Sequence, residues 1–323
     1  MIKMKRVLVT GGAGFVGRHL VQALAAAGHS VSVLDNLHRG RHSPDIPDFI
    51  HGDIRDYQTV WQACLGVHTV FHLAAESRVL PAEKNPQYCH STNIDGTRVL
   101  LEACRNTGVR RFVFASSREV YGNVTALPVS EDAPCHPQNL YGQSKLLGER
   151  QCLNFEGVDV IILRLSNIYG PGDHGRVIPR FIQAAIAGDP CVVFGASKVL
   201  DFLWIDDAVG AIVRAAELAP SGSVLNIGSG RGVGLPAIAQ LLIGLCGGIS
   251  PIVIQSGDPL EVLSYIADIR RARSVIGLMP KLDCYYGLEE MVAEARAAKD
   301  DARRTLLVPA VAGAGCFLQR GRV

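Results

Sequence analysis

Two side chains four residues apart, Tyr141 and Lys145, give the first chemical lead. The stretch Leu140 to Phe155 reads as a helix, and a spacing of four puts both groups on one face, one turn apart. A nearby ammonium favours phenolate and draws a tyrosine pKa toward neutrality. Such a phenol can take or give the proton of a substrate hydroxyl while a hydride moves. Taken alone, a Tyr-x-x-x-Lys pair also suits a solvated surface. Here Ser117 closes a predicted strand upstream, where its hydroxyl could bond the same substrate oxygen.

Chemistry of that kind needs a hydride acceptor, and the N-terminal residues offer a place for one. Val7 to Val9 read as a buried strand. Gly11, Gly14 and Gly17 follow at Gly-x-x-Gly-x-x-Gly spacing, and Leu20, Val21 and Leu24 continue at helical spacing toward Gly28. A glycine turn between a buried strand and a helix leaves backbone N–H groups free at a helix N-terminus, an anion site suited to a pyrophosphate. Ser30 to Leu34 reads as a second strand and ends in Asp35, 18 residues beyond Gly17. A dinucleotide fold places a ribose-binding carboxylate there, and a carboxylate repels a 2′-phosphate, so NAD is favoured over NADP. Arg39 and Arg41, just beyond, weaken that exclusion.

Composition sets the frame. The chain has 323 residues, 48% hydrophobic and 19% charged, enough for about two domains and a large core. Lys+Arg 32 against Asp+Glu 30, a formal net charge of +2, makes no general case for nucleic acid or an anionic membrane. The nine cysteines form no Cys-x-x-Cys pair, so no metal site or disulfide framework is indicated. The N-terminal residues lead straight into the first strand, and no apolar run is long enough for a membrane span. The expectation is a reduced, cytoplasmic protein.

Strand-like and helix-like segments alternate through the first half: Phe49 to Gly52, Thr59 to Leu65, Thr69 to Leu73, Asn93 to Cys104, Phe112 to Ala115, Leu140 to Phe155 and Val158 to Arg164. Alternation of this kind implies a parallel sheet with helices on both faces. The small residues of His72-Leu73-Ala74-Ala75 end one strand and leave room for a flat ligand. Beyond Arg164 the rhythm breaks. Asn167 to Gly172 is loop-like, and a smaller mixed lobe follows, with Val224 to Ile227 among its strands. From Ala297 onward no core-facing pattern is visible, and a weakly ordered tail is expected. The domain reading is 1–165 for the NAD-binding part, 166–296 for a substrate lobe whose sheet and helices are partly interleaved with the first, and a tail of 297–323.

Taken together, Thr10 to Gly17, Asp53-Ile54, His72-Leu73-Ala74-Ala75, Ser116-Ser117, Tyr141-Gly142-Gln143-Ser144-Lys145 and Arg164-Leu165-Ser166-Asn167 resemble the extended short-chain dehydrogenase/reductase family. The similarity is greatest to its NAD-dependent sugar-nucleotide epimerases and dehydratases, and it runs from the N-terminus to about Met291. The resemblance implies a Rossmann-type, doubly wound parallel sheet of the α/β class with a smaller C-terminal substrate lobe. It implies a catalytic set of Ser117, Tyr141 and Lys145. It implies NAD bound by Gly11, Gly14, Phe15, Val16, Gly17, Asp35, Asn36, Asp53, Ile54, Leu73, Ala74, Ala75, Asn93 and Ser116, with Tyr141 and Lys145 also at the cofactor. Asn167 would open the substrate pocket, and a homodimer would form through the helices at Asn93 and Leu140.

The implied reaction is transient oxidation of a sugar hydroxyl to a ketone, followed by return of the hydride. Glu119 stands where dehydratases and sugar-acid decarboxylases of this family carry a glutamate base. The plainer reading makes it a solvated loop carboxylate paired with Arg118. Epimerases of the family carry diphosphate-clamping arginines at the places of Leu200 and Asp258, so Arg176, Arg180 or Lys198 would have to compensate. Arg118 is a further cation, able to help there or to anchor a substrate carboxylate beside Ser117. The functional readings are therefore an epimerase of a nucleotide sugar (UDP-glucose 4-epimerase-like), a dehydratase or decarboxylase using Glu119, and a non-catalytic NAD-binding sensor.

Overall fold

The computed structural model describes residues 5–40, 46, 48–257, 260–280 and 285–307. In chain order its strands are β1 Arg6–Thr10, β2 Ser30–Asp35, β3 Phe49–His51, β4 Thr69–His72, β5 Arg111–Ser117, β6 Asp159–Leu165, β7 Asn167–Tyr169, β8 Cys191–Phe194, β9 Val199–Trp204, β10 Ser223–Ile227, β11 Gly232–Gly234, β12 Ile252–Gln255 and β13 Ser264–Tyr265. The helices are α1 Phe15–Ala26, α2 Tyr57–Cys64, α3 Val79–Lys84, α4 Pro86–His90, α5 Gly96–Thr107, α6 Leu140–Leu153, α7 Val177–Ala187, α8 Ile205–Leu218, α9 Leu235–Leu245, α10 Arg270–Ile276 and α11 Leu288–Leu307.

Seven strands form one sheet in the order β3-β2-β1-β4-β5-β6-β10, and every pairing is parallel. A parallel sheet is buried on both faces, so each strand reads as a continuous apolar run with its side chains divided between two cores. Val7 and Val9 of β1 face one core, with Val33, Phe71, Val113 and Ile161. Leu8 faces the other, with Leu34, Val70, Phe112 and Ile162, covered by α2 and α5. The strand order reverses between β1 and β4. Open α/β sheets hold ligands in the crevice at such a reversal, beyond the C-terminal strand ends.

The smaller lobe is built around β9, which pairs in parallel with β7 and β13 and antiparallel with β11, beside a separate β8–β12 ribbon. Two expectations change here, the loop at Asn167 and the tail, and the interleaving of the second lobe with the first takes a definite form. Asn167–Tyr169 is a strand, because its backbone pairs with β9. The Val224 segment joins the main sheet, its register locked to β6 from Ser223↔Ile161 to Ile227↔Leu165. The chain past residue 296 continues α11 to Leu307, anchored by buried Leu288, Met291 and Val292 and by a hydrogen bond from Lys299 Nζ to Ile186 O (2.9 Å). Residues 308–323, the rest of the expected tail, lie outside the described residues, as do Arg41 and Asp258. No helix among the described residues is long and apolar enough to cross a membrane.

Candidate active site

A cavity of about 770 Å³ opens at the β1/β4 reversal and runs into the smaller lobe. Its inner end is the glycine turn. Gly11 adopts φ +74°, and a side chain there would stand 2.6 Å from Ala74 N. At Gly17 a Cβ would meet Gly11 O at 2.2 Å. Glycine at these two places therefore lets the turn fold tightly against the end of β4 and lets α1 start close beneath it. Gly14 is the N-cap of α1 and brings no side chain to its first amides. Those N–H groups remain available to an anion in the cavity, whose wall includes Gly11, Gly14, Phe15, Val16 and Gly17.

Asp35, at the end of β2, accepts from Ala13 N (3.0 Å) and Leu37 N (2.8 Å) and lies in the same wall. Burial raises its pKa, and those two backbone bonds counter the rise. Asn36, Ile54, Leu73, Ala74 and Ala75 also line the cavity. Asp53 does not. It stands behind Asn36, accepting from Asn36 Nδ2 (3.0 Å) and Arg55 Nη2 (2.7 Å), and its bonds to Arg55 hold its pKa down to about 2. Asn93 is likewise outside the wall. Its amide spans Glu76 and Ser144, donating to Glu76 O (2.9 Å) and Ser144 Oγ (2.8 Å) and accepting from Glu76 N (2.8 Å). Asn93 lies in a π-helical widening, Ser91–Asp95, that precedes α5 rather than in a continuous helix.

Ser117, Tyr141 and Lys145 come together at the centre of the cavity. Ser117 ends β5, and its hydroxyl, close enough to the Tyr141 phenol to favour phenolate, accepts from Glu119 N (3.2 Å). Tyr141 and Lys145 share the buried face of α6. The expected lowering of the Tyr141 pKa does not occur in the protein alone. Burial pushes the phenol up to about 12, outweighing the hydrogen bond with Ser117. The Lys145 ammonium is buried too, which brings it down to about 8. It donates to Ala115 O (2.8 Å) and lies 4.9 Å from the centre of the Phe114 ring.

Glu119 is 6% exposed and lines the cavity, so it is not a solvated carboxylate, although its pairing with Arg118 is real (Nη2–Oε1 3.0 Å). Its other oxygen accepts from Asn139 Nδ2 (2.8 Å). Asn139 also caps α6, its Oδ1 accepting from Gly142 N (2.7 Å). An Asn just before a helix start is a capping signal legible in the sequence, though its second bond to Glu119 is not. Ser116 lines the cavity but turns its hydroxyl to Glu149 (2.5 Å), within a buried network where Arg164 donates to Glu149 Oε2 (2.7 Å), the Tyr121 hydroxyl (2.9 Å) and Glu131 O (3.0 Å). That network anchors the end of β5 and so aims Ser117. Spacing alone gives no sign that Glu149 and Arg164 meet.

The outer end of the cavity belongs to the smaller lobe. Asn167 donates to Asp201 O (3.0 Å) and lines the wall. Leu200 is buried in that wall. Lys198, also buried, is spent on an ion pair with Glu261. Arg176 lies over the Phe15 ring (5.4 Å) and near Asp173 (3.6 Å), and Arg180 lies over the Phe194 ring (6.0 Å). The loop between β7 and α7 leans on the cofactor side: His19 Nε2 donates to Pro171 O (3.0 Å) and Arg78 Nη2 to His174 O (2.7 Å). Arg39 is held by Glu76, whose Oε2 accepts from both Arg39 Nε (3.3 Å) and Nη2 (2.8 Å). Among the described residues no group of three or more His, Cys, Asp or Glu side chains is arranged to hold a metal ion.

Known proteins are similar to this chain along most of its length. A UDP-N-acetyl-alpha-D-glucosaminuronate decarboxylase of Bacillus cytotoxicus is 33% identical over 326 residues, covering 92% of this chain and 99% of the relative. A UDP-glucose 4-epimerase of Halalkalibacterium halodurans is 33% identical over 322 residues, covering 90% and 94%. The solved structure of MoeE5 in complex with UDP-glucose and NAD superposes with a TM-score of 0.85 at 34% identity, covering 91% of this chain and 99% of that one. The model of the NAD dependent epimerase/dehydratase family matches residues 7–228, from the first strand through the edge strand β10. A glycine turn fitted to a pyrophosphate and a phenol, hydroxyl and ammonium facing one cavity thus belong to a chain that is an enzyme of the NAD dependent epimerase/dehydratase family.

Proposed function

We propose that this protein is an NAD-dependent epimerase of a nucleotide sugar, acting as UDP-glucose 4-epimerases do. The observation that carries the reading is the meeting of Ser117, Tyr141 and Lys145 on the wall of one cavity whose inner end is the glycine turn. Gly11, Gly14, Phe15, Val16 and Gly17 hold the pyrophosphate of NAD, and Asp35 takes the adenosine ribose. Asn36, Ile54, Leu73, Ala74, Ala75 and Ser116 shape the rest of that site, with Asp53 and Asn93 positioning it from behind. When bound, NAD supplies reversible hydride transfer at a sugar carbon and a positive charge beside the phenol.

Tyr141 Oη takes the proton of the sugar hydroxyl and later gives it back. Ser117 Oγ bonds the same oxygen and keeps it within reach of the phenol. Lys145, fixed by Ala115 O, adds a second positive charge that favours phenolate while the proton is in transit. Arg176 and Arg180 reach the outer cavity, where Asn167 begins the sugar site, and serve the substrate diphosphate in place of the arginine absent at Leu200.

A second reading keeps the oxidation but follows it with loss of a group, making the enzyme a decarboxylase or dehydratase. The burial of Glu119 in the cavity wall favours it, since a carboxylate held by Asn139 and Arg118 is placed to act as base on the oxidised sugar. NMR of products formed from a panel of nucleotide sugars separates the readings. A stereoisomer of equal mass supports the epimerase, a product lighter by carbon dioxide or water supports the second, and no turnover of any sugar refutes both.

The compartment proposed is the cytoplasm, and the quaternary reading is a homodimer, supported by Leu147 and Leu153, which α6 leaves 41% and 48% exposed. Light scattering that returns a monomer mass at micromolar concentration refutes it.

A further inference from the structure

His72 ends β4 and is buried, and the next residues, Leu73 and Ala74, line the cavity. Both ring nitrogens are bonded, Nδ1 to Thr10 Oγ1 (2.8 Å) and Nε2 to Thr97 Oγ1 (3.0 Å). Burial, helped by the Lys145 ammonium, holds the imidazole pKa down to about 3, so the ring is neutral and carries one proton. Thr97 decides which nitrogen carries it. The Thr97 hydroxyl lies 2.7 Å from Asn93 O, and a carbonyl only accepts, so the one hydroxyl proton is spent there. Thr97 Oγ1 must then accept from His72, which puts the ring proton on Nε2. Nδ1 is left to accept from Thr10 Oγ1, which itself accepts from Ala74 N (3.4 Å).

The same direction continues beyond Asn93. Asn93 Nδ2 donates to Ser144 Oγ (2.8 Å), and Ser144 donates to Tyr141 O (2.7 Å). Five bonds, from Thr10 through His72, Thr97, Asn93 and Ser144 to Tyr141, therefore all point one way. The run begins at the residue before Gly11, where the glycine turn packs on Ala74, and ends on the backbone of the residue whose phenol faces the cavity. Aligned bonds of this kind strengthen one another in a buried setting. Asn93 sits in the π-helical widening Ser91–Asp95, whose geometry the Thr97 hydroxyl holds from within the helix. We propose that His72 is a positioning residue for the proton-transfer step: with its proton on Nε2 it fixes the widened turn through Thr97, and that turn fixes Tyr141 through Asn93 and Ser144. The inference rests on the nucleotide-sugar reading above for the reaction it serves, and on the bonds alone for the tautomer. A displacement of about 1 Å in Tyr141 is enough to cost about a hundredfold in rate.

The test uses two substitutions that each keep one half of the imidazole. His72→Asn puts an amide at the place of Nδ1, able to accept from Thr10 but out of reach of Thr97. His72→Gln puts an amide at the place of Nε2, able to donate to Thr97. Turnover by the NAD-loaded full chain is read by product NMR on the panel of nucleotide sugars, UDP-glucose and UDP-glucuronate among them. His72→Asn should lower kcat about ten- to a hundredfold while KM and the NAD retained through gel filtration stay near wild type, and His72→Gln should restore kcat to within about threefold. Nitrogen-15 NMR of histidine-labelled protein, assigned with the Gln variant, should show His72 protonated on Nε2 alone across about pH 5–9. A proton on Nδ1 overturns the proposal whatever the sugar. So does an Asn variant as fast as wild type, a Gln variant no faster than the Asn variant, or an Asn variant that loses NAD in step with turnover, which marks a structural role only. A wild type inert toward the whole panel, with the Nε2 proton in place, overturns the nucleotide-sugar reading, and the role in proton transfer with it.

Discussion

At the scale of single residues, the site is a set of buried groups whose charge states are set by burial. Tyr141 is a neutral phenol in the protein alone, and the chemistry proposed for it depends on positive charge brought alongside. Tyr141→Phe should lower turnover roughly 10²–10⁴-fold, the usual worth of a positioned acid–base group, while NAD retained through gel filtration stays at the wild-type level. Near-full activity of that variant would remove the phenol from the mechanism. Lys145 makes a prediction about stability. Its native pKa is about 8 against an ordinary 10.5, so between those values the unfolded chain holds a proton that the native state has released. Stability must then rise with pH across that window, by up to about 3 kcal/mol from this group, and below pH 8 the full penalty of the buried cation is present. Urea unfolding of wild type and Lys145→Met between pH 7.5 and 10 checks it. The wild type should gain on the variant as pH rises, and parallel curves would show that the ammonium is not desolvated.

At the scale of elements, legibility followed period and punctuation. β1, the glycine turn, α1 and β2 could be read from the sequence, since apolar runs and glycines report local geometry. The face shared by Tyr141 and Lys145 could also be read, because helical spacing determines it. What could not be read were meetings between distant elements: Glu149 with Arg164, Asn139 with Glu119, and the docking of Asn167–Tyr169 on β9. These depend on sheet order and register, which no local pattern carries. Arg39 is one such case. Sequence places it where it would weaken discrimination against NADP. The fold ties it to Glu76 after β4, so the loop following β2 presents Asp35 without a free cation from Arg39. Glu76→Gln should release Arg39 and narrow the preference for NAD over NADP by about tenfold, as expected for loss of one charge-assisted pair. Dissociation constants for both nucleotides measure this, and an unchanged ratio would place discrimination entirely with Asp35.

At the scale of the whole molecule, the two lobes share one framework. β10 arrives from beyond residue 220 to cover the edge of β6, and α8 packs against α1. The larger core contains residues of both lobes, from Val9 and Val33 to Ile212 and Leu242. A fragment ending at residue 165 would leave β6 as a bare apolar edge and uncover the α1 face, a known route to aggregation. It should be insoluble or aggregated when expressed alone, whereas the full chain should unfold in one calorimetric transition. A soluble, cooperatively folded fragment would show the first lobe to be independent.

The bridge from the Gly170–Arg176 loop to the cofactor side has a consequence in time. That loop is pinned to α1 through His19 and to the turn after β4 through Arg78, with Arg176 resting on Phe15. A dinucleotide lying along the glycine turn is thereby roofed by the lobe that receives the sugar. Three separate contacts hold that roof. The dinucleotide is therefore expected to leave slowly, and weakening these contacts, as in His19→Ala, should speed its release, measured as loss of bound NAD through gel filtration.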